Sequence, residues 1–269
     1  MHSASDTAMQ LIDIGANLTH ESFQVDLNEV LTRARAQHVS AFIITGASLP
    51  GSQAALALAQ QHDDLFATAG LHPHEAQHFS RTTLAQLQEL AKDPKVVALG
   101  ECGLDYNRDF SPRDQQRYAF EAQLELACKL AKPVFLHERD AHDDFAKILE
   151  RYKKDLVDYV VHCFTGVESQ LQTYLELEAY IGITGWICDD RRGHHLHEFI
   201  QQVPADRLMI ETDAPYLLPR DLKPKPKSRR NEPMHLLHIC NTVARLVNKT
   251  PLQVANETTA TAQHFFRLP

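Results

Sequence analysis

Residues 96–107 read VVALGECGLDYN: an apolar run, then the Glu101 carboxylate, a thiol and more polar groups within a few positions. A strand covered on both faces is near-continuous in Val, Ile and Leu rather than alternating. An acid placed straight after such a run sits where the strand leaves its sheet. The same ending recurs along the chain. LIDIG starts at residue 11, AFIITG at 41, LFATAG at 65, PVFLH at 133, YVVHCF at 159, AYIGITG at 179 and RLMIETD at 207. With the quoted stretch these make eight short apolar runs, and amphipathic segments separate them. DLNEVLTRARAQH (26–38) and PRDQQRYAFEAQLELACKLA (112–131) show apolar spacing of three and four. Ser111 and Pro112 read as a cap and a first-turn proline for the second of these. Eight strand–helix units without an intervening linker predict an α/β fold of the TIM-type (β/α)8 barrel. One domain over 1–269 is expected, with 1–9 as a flexible extension and helices from 234 to 269. An open doubly wound sheet is the alternative.

In such a barrel the functional groups gather at the C-terminal ends of the strands. His72 and His74 follow the third run, Glu101 and His137 end the fourth and fifth, His162 lies in the sixth, and Asp213 ends the eighth. Imidazoles and carboxylates from separate strand ends can meet around one ion, and this N/O mixture suits Zn²⁺, Mn²⁺ or Mg²⁺. A lone strand-end histidine is more often structural, so the conjunction carries the reading. Neighbouring Cys102 and Cys163 are expected on the opposite, helical side, because adjacent strand residues alternate faces.

The bulk numbers are those of a soluble chain: 269 residues, 43% hydrophobic, net charge −8. That charge excludes a surface coated in nucleic-acid-binding cations but leaves room for a local patch. One such patch exists. PRDLKPKPKSRRNEP (219–233) holds Arg220, Lys223, Lys225, Lys227, Arg229 and Arg230. Its prolines favour an extended path, and its place after the eighth strand puts it on the catalytic face. The rival reading is an ordinary solvated loop. Five scattered cysteines do not form a disulfide framework. No secretory signal or spanning segment is visible, so a cytoplasmic chain is expected.

GLHPH (70–74), GECGLDY (100–106), HERDA (137–141), HCFTG (162–166) and IETDAPYLLP (210–219) resemble, in this order, the motifs of the TatD family of metal-dependent deoxyribonucleases. The resemblance runs to about residue 233. It implies a barrel of the metallo-dependent hydrolase superfamily, with Glu101, His137, His162 and Asp213 as metal-binding positions and His72 beside them. Many relatives carry His-x-His after the first strand; here IDIGANLTH places Gly15 and Asn17 there. One firmly held ion is therefore expected, with a second held weakly or by substrate phosphate. The resemblance also implies 3′-to-5′ exonuclease action on single-stranded DNA and RNA, Mg²⁺ as the working ion, and a role in DNA repair or degradation. Glu101, Asp213 and His72 would be catalytic, Asp213 as proton acceptor and His72 or His74 as donor. Candidate substrate contacts are His74, Arg139, Trp186, Lys223, Lys225, Lys227, Arg229 and Arg230. Among the aromatics, Tyr106, Phe164, Trp186 and Tyr216 can stack on bases, though packing competes with that role. Glu138 is expected to face away from the metal, and GHHLHEF (193–199) to present surface histidines. A monomer is expected. The alternatives are another hydrolase of the superfamily, such as a deaminase or lactonase, and a non-catalytic nucleic-acid-binding or quality-control factor.

Overall fold

The eight apolar runs become eight strands in a computed structural model that describes residues 9–269. They are β1 (Leu11–Ala16), β2 (Val39–Ile44), β3 (Leu65–Ala69), β4 (Val96–Asp105), β5 (Val134–Arg139), β6 (Tyr159–Val161), β7 (Tyr180–Ile183) and β8 (Leu208–Ile210). They lie in sequence order in one sheet, and every adjacent pair is parallel. Parallel neighbours require crossover connections. The crossovers carry α1 (Leu27–Ala36), α2 (Leu49–Ala59), α3 (Arg81–Leu90), α4 (Arg113–Leu130), α5 (His142–Tyr152), α6 (Glu168–Glu176) and the single turn α7 (Leu196–Phe199). α8 (Leu236–Leu246) and α9 (Pro251–Phe266) follow the last strand. Of the expected N-terminal extension, residues 1–8 lie outside the described residues, and Met9 packs against the core.

The seam between first and last strands is closed just beyond β8. Asp213 N–H donates to Gly15 O at 2.8 Å and Asn17 N–H to Ala214 O at 2.7 Å. The buried Asp13 carboxylate reinforces it, accepting from Thr212 N at 2.9 Å and Thr212 Oγ1 at 2.6 Å. Ring closure thus fixes Asp213. Inside, Ile12, Ile14, Ile43, Phe135, Val160 and Met209 form one apolar cluster with Phe265 and Phe266 of α9. Each fully buried phenylalanine contributes about 1.5–3 kcal/mol.

The quoted stretch behaves differently from its sequence reading. β4 does not end at Glu101 but continues to Asp105. Its register against β5 shifts between Leu99 and Cys102, then resumes through Asp105 paired with Arg139. Gly100 permits this, with φ of +115° and no room for a Cβ, which would lie 2.1 Å from Phe135 O. Ser111 also departs from expectation. α4 has Pro112 at its cap and no side-chain cap bond; Ser111 Oγ instead donates to His74 O and accepts from Gln77 N.

Two buried glutamines on α4, seven residues apart and hence on one face, hold the strand ends that carry the site. Gln123 bonds both N–H and C=O of Leu71. Gln116 does the same for Asp105.

Candidate functional site

The strand ends open into a cavity of about 420 Å³ lined by Asn17, His72, His74, Glu101, His137, Arg139, His162, Cys163, Asp213 and Tyr216 among others. Glu101 is its centre. Glu101 Oε1 lies 2.9 Å from His162 Nε2, 3.0 Å from His137 Nδ1 and 3.4 Å from His72 Nε2. Burial works against the carboxylate, but His72, His162 and the bonds from His137 and His162 overcome it and hold Glu101 well below the usual range. The imidazoles respond in turn. Burial opposes the charged form of His162, yet Glu211 and Glu101 raise its pKa well above the ordinary value. His72 is lowered to about 4, because burial outweighs Glu101 there. Burial among carboxylates and near His162 leaves Asp213 raised to about 7.

These residues fit a cation. Among the described residues, His137 Nε2 is a buried polar atom without a hydrogen-bond partner, and such atoms are costly unless something unseen satisfies them. Donor atoms of His72, Glu101 and His137 all lie within 4.8 Å of one another. A divalent cation inverts the local proton logic, since ligands bind it deprotonated. The site is thus a divalent-metal site by geometry and donor chemistry. His72 is the least suited of the three to coordinate. Its Nδ1 accepts from His74 N–H at 3.1 Å, so the neutral ring carries its proton on Nε2, facing Glu101.

Three acids at the site went unread in the sequence. Glu211, fully buried, accepts from Cys163 N at 2.6 Å and sits 3.4 Å from His162 Nδ1. It orients the imidazole so that Nε2 faces inward, as carboxylates do behind metal-binding histidines. It lies just past the end of β8, two residues before Asp213. Asp105, four residues after Glu101, approaches His74 Nε2 at 2.6 Å and His137 Nε2 at 3.5 Å. It lies in the part of β4 beyond Glu101, past the strand end that the sequence predicts. Asp13 at the seam is the third. Asn17 donates to Asp213 Oδ1 at 3.0 Å.

The thiols divide. Cys102 is buried in the outer cluster with the helices, as alternation requires. Cys163 is not on that side: its φ of 47° ends the alternation after β6 and turns it into the cavity lining. Glu138 bonds Ala141 N and Tyr174 Oη, yet it also contributes to the cavity wall. In GHHLHEF, His195 and His197 are not free surface rings; their Nε2 atoms meet the carbonyls of Gly166 and Ile187 at 3.0 and 2.8 Å.

Of the expected substrate contacts, His74 and Arg139 line the cavity. The Arg139 and Arg192 guanidinium groups lie 5.3 and 4.3 Å from the centre of the Trp186 ring. Lys225 and Arg229 line a second cavity of about 740 Å³ that shares Tyr216 with the first. Lys223 and Lys227 are exposed. Arg230 is a correction. Its guanidinium bonds Asp26 and Glu232 and lies over the Phe23 ring, so it anchors the end of the basic loop rather than facing substrate. Phe164 is buried, and Tyr106 is engaged with Asp144 and Arg113. Phe110, which sequence did not single out, is 60% exposed and stands edge-on to His74 at 4.7 Å.

Fold and site together define a barrel hydrolase with a metal centre, and the TatD related DNase profile matches residues 12–267. The chain belongs to that family. It is 51% identical over 259 residues to the "3'-5' ssDNA/RNA exonuclease TatD" of Erwinia tasmaniensis, covering 96% of this chain and 100% of the relative. The protein of that name from Klebsiella pneumoniae is 52% identical over 234 residues, 87% of this chain and 89% of the relative. Among solved structures, the TatD homolog YjjV of Escherichia coli K12 superposes with a TM-score of 0.88 at 29% identity, over 96% of this chain and 98% of that one. A guanine deaminase from C. acetobutylicum shares the fold alone, with a TM-score of 0.57 and 8% identity.

Proposed function

We propose that this protein is a metal-dependent exonuclease that removes nucleotides from the 3′ end of single-stranded DNA and RNA. The observation that carries the reading is the convergence of three imidazoles, His72, His137 and His162, on the Glu101 carboxylate in one strand-end cavity. Glu101, His137, His162 and Asp213 are the residues that would hold the ion, and Mg²⁺ is its proposed identity. When bound, a divalent ion acidifies water and neutralises charge gathering on the phosphate.

The protein's own groups do the rest. Asp213, held by Asn17 at the cavity wall, is the proposed proton acceptor. His72 lines the same cavity with its Nε2–H turned toward Glu101, where it steadies that carboxylate. Glu211 orients His162, and Asp105 holds His74. Exposed Tyr216 stands on the wall shared by both cavities, and Phe110 stands near His74. Both offer ring faces to unpaired bases. Lys223, Lys225, Lys227 and Arg229 supply backbone cations whose contribution falls with salt. Action as a monomer is part of the proposal. Five free cysteines support a reducing, cytoplasmic setting, and degradation or repair of DNA ends is the proposed cellular role.

The test is a single-stranded oligonucleotide labelled at its 5′ end, incubated with and without Mg²⁺ beside a panel of small esters and amides. The reading predicts a ladder shortening from the 3′ end only with metal. Turnover of the small substrates with an intact oligonucleotide would overturn it.

A further inference from the structure

A second group of donors converges away from the catalytic cavity, at the root of the basic loop. Cys188 ends the 3₁₀ turn Gly185–Cys188 after β7, Asp221 lies in the loop after β8, and His238 stands in the first turn of α8. One donor atom from each lies within 4.8 Å of the others. His238 Nε2 is 2.7 Å from Asp221 Oδ1. The Cys188 thiol, 3% exposed, donates to Thr242 Oγ1 at 3.5 Å, one helical turn beyond His238. Cys188 and Asp221 also line the second cavity.

We propose that Cys188, Asp221 and His238 form a second metal site that takes Zn²⁺ or a similarly thiophilic divalent ion. Thiolate, imidazole and carboxylate are the donors zinc uses, and three protein ligands leave a fourth position for water. Binding forms a metal–sulfur bond and releases the thiol proton to solvent, and no electrons move. A hard ion such as Mg²⁺ prefers oxygen donors, whereas a soft one takes up the thiolate and displaces its proton. Softness therefore separates the two sites: the catalytic ligands offer nitrogen and oxygen, and this group adds sulfur. The consequence is mechanical. Residues 217–232 form no helix or strand and carry the cations proposed to meet the strand. Arg230 pins one end of that loop to Asp26 and Glu232, and a metal on Asp221 pins the other to α8 and the turn after β7.

The experiment is a Co²⁺ titration of metal-stripped protein with Mg²⁺ in excess, read as thiolate-to-cobalt charge-transfer absorption in the near ultraviolet. The site predicts that band at one equivalent in the wild type and in Cys163→Ser, whose thiol faces the catalytic cavity. Cys188→Ser abolishes it, and His238→Asn, at a partly exposed position, weakens Co²⁺ binding at least 10-fold. Should Cys188→Ser fail the circular-dichroism check of folding, His238→Asn decides the matter. A wild type without the band overturns the proposal, as does a band that survives Cys188→Ser, disappears in Cys163→Ser or is unmoved by His238→Asn. Nuclease activity is not the readout, so the two readings stand or fall separately.

Discussion

The Glu211 carboxylate fills the space beside Gly15: a Cβ on Gly15 would lie 2.3 Å from Glu211 Oε2 and 2.9 Å from the Phe135 ring. Glycine at position 15 is therefore a requirement of this site. Gly182 makes the same allowance on the other side, where a Cβ would lie 2.7 Å from Glu211 Oε1. Gly15→Ala should destabilise the protein by about 1–3 kcal/mol, as overpacking does, and lower metal affinity by displacing Glu211 from His162. Thermal unfolding and metal titration on the same variant check both. An unchanged melting temperature would show that the carboxylate moves aside freely.

Glu211 acts through His162, so its removal should weaken the metal without abolishing the site. Glu211→Gln is expected to cost about 10–100-fold in metal affinity, the usual range for a partner behind a ligand. Cleavage should recover at high metal concentration. Activity that stays lost at saturating metal would instead make Glu211 a direct participant.

The cations of the basic loop should separate into two kinds. Replacing Lys223, Lys225, Lys227 and Arg229 together by Ala should lower the salt slope of single-strand binding by up to about 3, at about 0.7 per lost phosphate contact. Arg230→Ala should leave that slope nearly unchanged but cost about 1–2 kcal/mol of stability, because it breaks charged hydrogen bonds to Asp26 and Glu232. The reverse pattern would return Arg230 to the binding track.

The same clamp gives a pH signature. The Arg230 bond, against a smaller cost of burial, lowers Asp26 from 3.8 to about 2. A depressed folded-state value means the stabilisation is complete above the unfolded value and is lost as pH falls from about 4 to 2. Acid unfolding of the wild type should show that loss, and Asp26→Asn should flatten the curve in the same window.

Much of this was legible in the sequence because β/α barrels write their topology as recurring apolar runs. All eight runs became strands, and Glu101, His137, His162 and Asp213 line one cavity. What stayed hidden involved backbone that leaves the regular period. Asp105 was missed because Gly100 lets β4 resume after a shift in register. Cys163 faces the cavity because a left-handed φ breaks alternation. The pairing of Arg230 with Asp26, 204 residues apart, has no local trace at all. Glu211 lies past the end of β8, where strand period no longer assigns a face.

The central claim is that Glu101 holds the ion on which cleavage depends. Mg²⁺ binding and 3′-end cleavage should be measured together for wild type and Glu101→Gln, with circular dichroism confirming the fold. The account predicts that the variant folds, that its Mg²⁺ affinity falls at least 10-fold, and that cleavage of single-stranded DNA is lost. A folded variant that still binds Mg²⁺ and shortens the strand at the wild-type rate would contradict it.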